Sequence, residues 1–172
     1  MGKKIGLKWR LSDTKSQIGK VVLITGANTG IGFEMAMEFA AKGAEVVLAC
    51  RNQAKATEAT ARIRTEHPEA NVQTLDLDLA DLNAVKRAAS TLMASTPHLD
   101  ILINNAGVMI PPKSTTVDGF ELQVGTNHLG HFALTAHLLP HLRKAENPRI
   151  ITVSSIAHTM GRLNLENMHG EG

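Results

Sequence analysis

A short apolar run that breaks on glycine and restarts as a helix constrains this chain more than any other feature. It reads Lys20-Val-Val-Leu-Ile-Thr-Gly-Ala-Asn-Thr-Gly-Ile-Gly32. Val21 to Ile24 has the length and β-branching of a buried strand. From Gly30 the apolar positions Ile31, Met35 and Phe39 recur every fourth residue with Ala36 and Ala40 beside them, which predicts a helix with that stripe turned inward. A strand, a glycine turn and a helix N-terminus form an anion site, because free backbone N–H groups and the helix dipole both favour a phosphate there. Gly26 allows the turn, Gly30 allows close approach of a pyrophosphate, and Gly32 allows the helix to pack close to the strand. The spacing is G-x-x-x-G-x-G rather than G-x-G-x-x-G, and three glycines alone also suit any tight strand-to-helix turn.

Length and composition narrow the field. The 172 residues suit one domain with a substantial core, read as a basic lead-in over 1–19 and a single dinucleotide-binding domain over 20–172. Trp9 falls in that lead-in, whose simplest reading is a loosely packed tail. A net charge of +2 without a dense basic run gives no argument for a nucleic-acid partner. The single cysteine, Cys50, excludes an intrachain disulfide and fits the cytoplasm or another reducing compartment. No apolar run reaches membrane-spanning length, and the N-terminus carries no signal-peptide apolar region. Tyrosine is absent altogether.

Strands and helices then alternate. The first helix ends at Lys42-Gly43, strands are expected at 45–50, 71–75, 99–103 and 149–153, and Gln53 to His67 is a helix stopped by Pro68. Asp81 can N-cap a helix through Ala94 that turns Val85 and Leu92 inward, and a long helical pattern runs from about Gly119 to Arg143. This alternation predicts a doubly wound α/β fold, a parallel sheet with helices on both faces. The Rossmann-type strand order is 3-2-1-4-5.

Strand ends carry the candidate chemistry. About twenty residues past the glycines, where an Asp or Glu would hold a free ribose hydroxyl, the chain has Cys50-Arg51-Asn52 and no carboxylate. Arg51 offers a planar cation to a 2′-phosphate, which favours NADP(H) over NAD(H). Asp78-Leu79 sits where a carboxylate could take the adenine amino group, though Asp76 or Asp78 could equally be plain turn or capping residues. Asn104-Asn105-Ala106-Gly107 ends the fourth strand with two amides able to brace neighbouring strands and a small pair that lets a ligand approach the backbone. His128 and His131 stand three apart and His137 and His141 four apart. Such spacings can hold a metal, but no Glu accompanies them, and packing or surface histidines are the better reading.

Taken together, Thr25-Gly-Ala-Asn-Thr-Gly-Ile-Gly32, Asp78-Leu79, Asn104-Asn-Ala-Gly107 and Val153-Ser-Ser155 resemble, in order and spacing, the short-chain dehydrogenases/reductases. Ala49-Cys-Arg51, Thr126-Asn-His-Leu-Gly-His-Phe132, and Ser154-Ser-Ile-Ala-His158 with Gly161-Arg162 resemble the retinol-dehydrogenase-like branch. The resemblance implies NADP(H)-linked oxidation of an alcohol or reduction of a carbonyl, with a small-molecule substrate; retinoid, steroid and lipid-aldehyde substrates fall within that branch. It implies cofactor contacts from Gly26, Asn28, Gly30, Ile31, Gly32, Arg51, Asp78, Leu79, Asn105, Ala106 and Gly107. Asn127 would hold a relay water through a helix kink, and Ser155 would hydrogen-bond the substrate oxygen. The family's acid/base is a Tyr followed four positions later by a Lys. This sequence has no Tyr and its last lysine is Lys144, so the chain reads as the front of such an enzyme with the C-terminal part missing, inactive by itself. On that reading the fifth strand and the helix bearing Leu122, Leu129, Phe132, Ala133, Leu134 and Leu138 lack cover, which favours poor stability or a homo-oligomer. A non-catalytic dinucleotide-binding or dimer-partner protein is the alternative.

Overall fold

The structure is a computed structural model and describes residues 13–159. Trp9, the tail from Gly161 and His169 lie outside the described residues. Five strands form one parallel sheet: β1 Val21–Thr25, β2 Glu45–Cys50, β3 Val72–Asp76, β4 Ile101–Asn104 and β5 Arg149–Thr152. Their spatial order is β3-β2-β1-β4-β5, the order expected from the alternation of elements. The order reverses at β1, with Val22 paired to Val46 on one side and Ile101 on the other, so a crevice opens where β1 and β4 diverge at their C-terminal ends.

Alternate strand residues feed two cores. Val21, Leu23, Val47, Ala49 and Leu102 face helices α3 (Leu82–Ser95) and α5 (His131–Leu142), meeting Val85, Leu92, Leu134 and Leu138. Val22, Ile24, Val46, Leu48 and Ile103 face α1 (Gly30–Ala41) and α2 (Gln53–Glu66), meeting Phe33, Ala36, Ala59 and Ile63. Burial on both faces explains why the inner strands are continuously apolar rather than alternating. Asp81 caps α3 as expected, its Oδ1 accepting from Asn83 N–H at 2.8 Å and Ala84 N–H at 3.1 Å. α1 ends in a Schellman motif: Gly43 takes φ +84° while Gly43 N–H and Ala44 N–H donate to Ala40 O and Phe39 O.

Three expectations need correction. The inward face of α1 is Gly32, Phe33, Ala36 and Ala40, whereas Ile31 is 68% exposed and Met35 and Phe39 are only half-buried. The helix start approaches the chain after β1 so closely that a Cβ on Gly32 would meet Gly26 O at 2.7 Å and Ala27 Cα at 3.1 Å, and Phe33, Ala36 and Ala40 fill the rest of that face. The long helix is not continuous from Gly119. It begins as the short α4 (Leu122–Val124), passes through a π-helical turn at Gly125–Gly130, and only then becomes α5. Nor does α5 lack cover: Leu134 and Leu138 are fully buried against α3, and of the stripe only Phe132 stands well exposed, at 69%.

Candidate active site

The crevice at the strand ends has a volume of about 480 Å³. The glycine turn contributes Gly26, Asn28 and Thr29 to its lining, the end of β2 contributes Cys50, Arg51, Asn52 and Lys55, and the segment after β3 contributes Leu77, Asp78 and Leu79. Asn105, Ala106, Gly107 and Val108 after β4 close the far wall with Thr126 of the π-turn. Six of the expected site residues beyond Gly26 and Asn28 therefore converge here: Arg51, Asp78, Leu79, Asn105, Ala106 and Gly107. Gly30, Ile31, Gly32, Asn127 and Ser155 do not line it.

Glycine chemistry shapes the mouth. Gly26 (φ +66°) packs on Ala106, where an added Cβ would lie 3.0 Å from the Ala106 Cα. Gly30 (φ +57°) has nothing within 4 Å of an added Cβ, leaving its left-handed backbone open beside the helix start. Gly32 is closed from within: a Cβ there would meet Asn105 Nδ2 at 2.5 Å and Gly26 O at 2.7 Å. An exposed backbone turn at a helix N-terminus, flanked by the Arg51 and Lys55 cations, fits the phosphates of a dinucleotide.

The far wall hangs on Thr25. Its Oγ1 accepts from Asn105 N–H and Ala106 N–H, both at 2.9 Å, while Asn105 Nδ2 donates to Thr25 O at 2.8 Å. The amide therefore braces β1 against β4, and Asn104 Nδ2 reaches Thr135 Oγ1 on α5 at 3.1 Å. Asn127 grips the same wall from the other side. Its Oδ1 accepts from Val108 N–H and its Nδ2 donates to Val108 O, each at 2.8 Å. Asp78 combines the two readings left open by sequence: it lines the crevice, and one carboxylate oxygen accepts from Ala80 N–H at 2.9 Å, while Asp76 is exposed. Ser155 is exposed, and its Oγ accepts from Ala157 N–H at 3.2 Å in a 3₁₀ turn over Ile156–Thr159.

The histidine pairs split by burial. His131 and His141 are buried, His128 and His137 exposed, so neither pair presents both rings to one ion. Among the described residues no cluster of three or more His, Cys, Asp and Glu could hold a metal. Burial pushes the Cys50 thiol up, against the Ala27 and Asn28 N–H groups that point at it, which keeps it a poor nucleophile. Lys55, Thr126 and Val108 were not singled out by sequence. Lys55 lies four positions beyond Arg51, in the first turn of α2, a spacing that could have flagged it. Thr126 Oγ1 is buried without a hydrogen-bond partner among the described residues, a property sequence does not display.

Comparison with known proteins agrees with this geometry. Residues 20–167 match the family model described as short chain dehydrogenase. Human retinol dehydrogenase 11 is 48% identical over 153 residues, 89% of this chain and 48% of that protein. A crystal structure of a Mycobacterium paratuberculosis protein superposes with a TM-score of 0.82 at 45% identity, covering 94% of this chain and 55% of that one. The Pseudomonas aeruginosa RhlG/NADP active-site complex gives 0.73 at 30% identity, covering 90% and 62%. The chain spans about half the length of the curated relatives it matches. With the glycine turn, the reversed strand order and the Asn105–Gly107 wall all in place, the chain belongs to the short-chain dehydrogenase family and is retinol-dehydrogenase-like.

Proposed function

We propose that residues 20–172 form one dinucleotide-binding domain that takes NADP(H) in preference to NAD(H), as part of an oxidoreductase acting on an alcohol or carbonyl. The observation that carries this reading is the end of β2: Arg51 and Lys55 line the crevice where a carboxylate would otherwise meet the ribose hydroxyl. The solved relative bound to NADP supports the same choice. Backbone at Gly30 and the start of α1 would hold the pyrophosphate, and Asp78 with the Leu79 backbone the adenine. The Asn105–Gly107 wall would position the rest. When bound, the cofactor supplies hydride transfer.

For the proton, the chain offers little. Asn127 is spent on the Val108 backbone and Ser155 on a local turn, and no tyrosine exists in these 172 residues. These residues alone would therefore bind cofactor but turn over little or nothing. The missing tyrosine also favours a second reading, a dinucleotide-binding or dimer-partner protein without turnover. No helix among the described residues is long and apolar enough to cross a membrane. A buried lone Cys50 fits a reducing compartment, and the exposed β5 edge fits homo-oligomerisation.

Fluorescence titration of the 172-residue chain with NADPH and NADH tests the reading. Tighter binding of NADPH, with no alcohol oxidised or carbonyl reduced, is expected. Equal affinities would remove the NADP assignment, and turnover would remove the inactivity.

A further inference from the structure

Between the two clamps on the far wall lies a residue that neither the cofactor contacts nor the catalytic remnants use. His131, the first residue of α5, is 5% exposed and makes two bonds with its ring. Nδ1 lies 2.9 Å from Asn127 O, and Nε2 lies 2.8 Å from Thr25 Oγ1. A carbonyl only accepts, so Nδ1 carries the proton. In a neutral ring Nε2 is then an acceptor, and the Thr25 hydroxyl must donate to it. That orientation turns the lone pairs of Thr25 Oγ1 toward Asn105 N–H and Ala106 N–H. Without His131 the hydroxyl would have only Ile103 O, 3.4 Å away, as a recipient. Burial lowers the pKa of His131, opposed by the bond to Asn127 O and aided by nearby His128, which keeps the ring neutral.

The π-turn makes this chain of bonds geometrically available. A π-turn breaks the regular i→i−4 ladder, so backbone carbonyls within it can seek side-chain partners, and Asn127 O finds the His131 ring one turn later. Gly130 closes the turn directly against Leu79, leaving no room for a side chain there. The π-turn, the first strand and the crevice wall are thus joined through one imidazole.

We propose that His131 is a positioning residue for the nucleotide crevice: held as the Nδ1–H tautomer between Asn127 O and the Thr25 hydroxyl, it sets the orientation in which Thr25 carries the Asn105–Ala106 wall. The inference rests on the reading of that crevice as an NADP(H) site, and its test separates the two.

Long-range ¹H–¹⁵N spectra of the histidine-labelled chain at neutral pH should show His131 protonated at Nδ1 and bare at Nε2. An Nε2–H tautomer would overturn the proposal without any variant having to fold. Among variants, His131→Gln can place an oxygen near the Nε2 position and keep the Thr25 arm; His131→Asn can keep only the Asn127 arm; His131→Phe keeps neither. NADPH affinity should fall by roughly tenfold or more in Phe and Asn, about 1.4 kcal/mol from wild type, and stay within about threefold of wild type in Gln. Amide exchange at Asn105 and Ala106 should quicken in the same two variants. Affinity and exchange unchanged in Phe, or Asn rescuing as well as Gln, would overturn the assignment. If the wild-type chain binds no NADPH, the cofactor reading falls, and the tautomer and the two amides still decide the role of His131.

Discussion

The sheet's central strand, β1, and its edge strand, β5, have very different surroundings. Every residue of β1 is buried, and the polar atoms at its C-terminal end are bonded into a wall that involves β4, the π-turn and α5. Every residue of β5 is exposed, with Ile150 at 45% and Ile151 at 42%, and the segment after it, including Ser155, is exposed as well. β1 reads Val-Val-Leu-Ile-Thr and β5 reads Arg-Ile-Ile-Thr, so the exposed strand is also the less apolar one. The difference teaches that the residues proposed to hold the cofactor lie where β1 to β4 are buried, whereas Ser155, at the end of β5, stands exposed among the described residues.

The largest effect that would sharpen the contrast belongs to Gly32→Val. Its Cβ would meet Asn105 Nδ2 and Gly26 O, so overpacking should cost about 2–3 kcal/mol of stability, read by denaturant titration, and NADPH binding should be lost with the wall. A variant of wild-type stability and affinity would show that the glycine turn is not closed from within. Next come paired truncations across the sheet. Leu138→Ala, at a fully buried position, should cost about 2 kcal/mol, while Ile151→Ala on β5 should cost about 1 kcal/mol. Equal losses would mean that β5 is covered in solution, most simply by another copy of the chain.

Arg51→Asp sits lower on the scale. NADPH affinity should fall by roughly tenfold or more, about 1.4 kcal/mol, with little change for NADH. Matching losses for both would break the link between Arg51 and the 2′-phosphate.

The smallest effect is a pH dependence. At the opposite end of β1, burial alone would raise the Asp100 carboxyl. Its bonds to Lys20 Nζ at 2.8 Å and Val21 N–H at 2.9 Å, with the charges of Lys20 and His98, hold it below its ordinary value. A depressed carboxylate stabilises the fold above its unfolded pKa, near ~3.9, and that contribution is lost as pH falls through the folded value. His131 is depressed by burial, so its neutral form is favoured and stability falls from about pH 6.5 downward. His141, buried as well, is lowered for the same reason, so stability should decline in two stages on acidification, with Asp100→Asn removing the lower and His131→Gln reducing the upper. A flat profile from neutral pH to 4 would contradict the burial of His131.

Much of this was legible in sequence because short-range rules decide it. The strand–glycine–helix unit, the Asp81 cap, the Gly43 C-cap and the 3-2-1-4-5 order follow from apolar runs, turn residues and the handedness of parallel crossovers. The crevice wall was legible for the same reason, since paired amides followed by Ala106-Gly107 have few uses besides bracing and close approach. What sequence hid depends on tertiary contact. Ile31, Met35 and Phe39 show a helical period as good as that of Phe33, Ala36 and Ala40, and only tertiary packing against the sheet selects the second set. The π-turn leaves no mark in apolar periodicity, because one extra backbone step shifts the register without changing residue types. Sequence left His131 as either a packing or a surface histidine, because the partner that decides it, Thr25, lies 106 positions away.

Backbone amide mapping of the labelled chain during NADPH titration tests the central contrast most directly. Shifts confined to the glycine turn at 26–30, to Arg51, to Asp78–Leu79 and to Asn105–Val108, with β5 and Ser155 silent, are the predicted result. Shifts centred on β5 and Ser155, or none in the crevice at saturating cofactor, would contradict it.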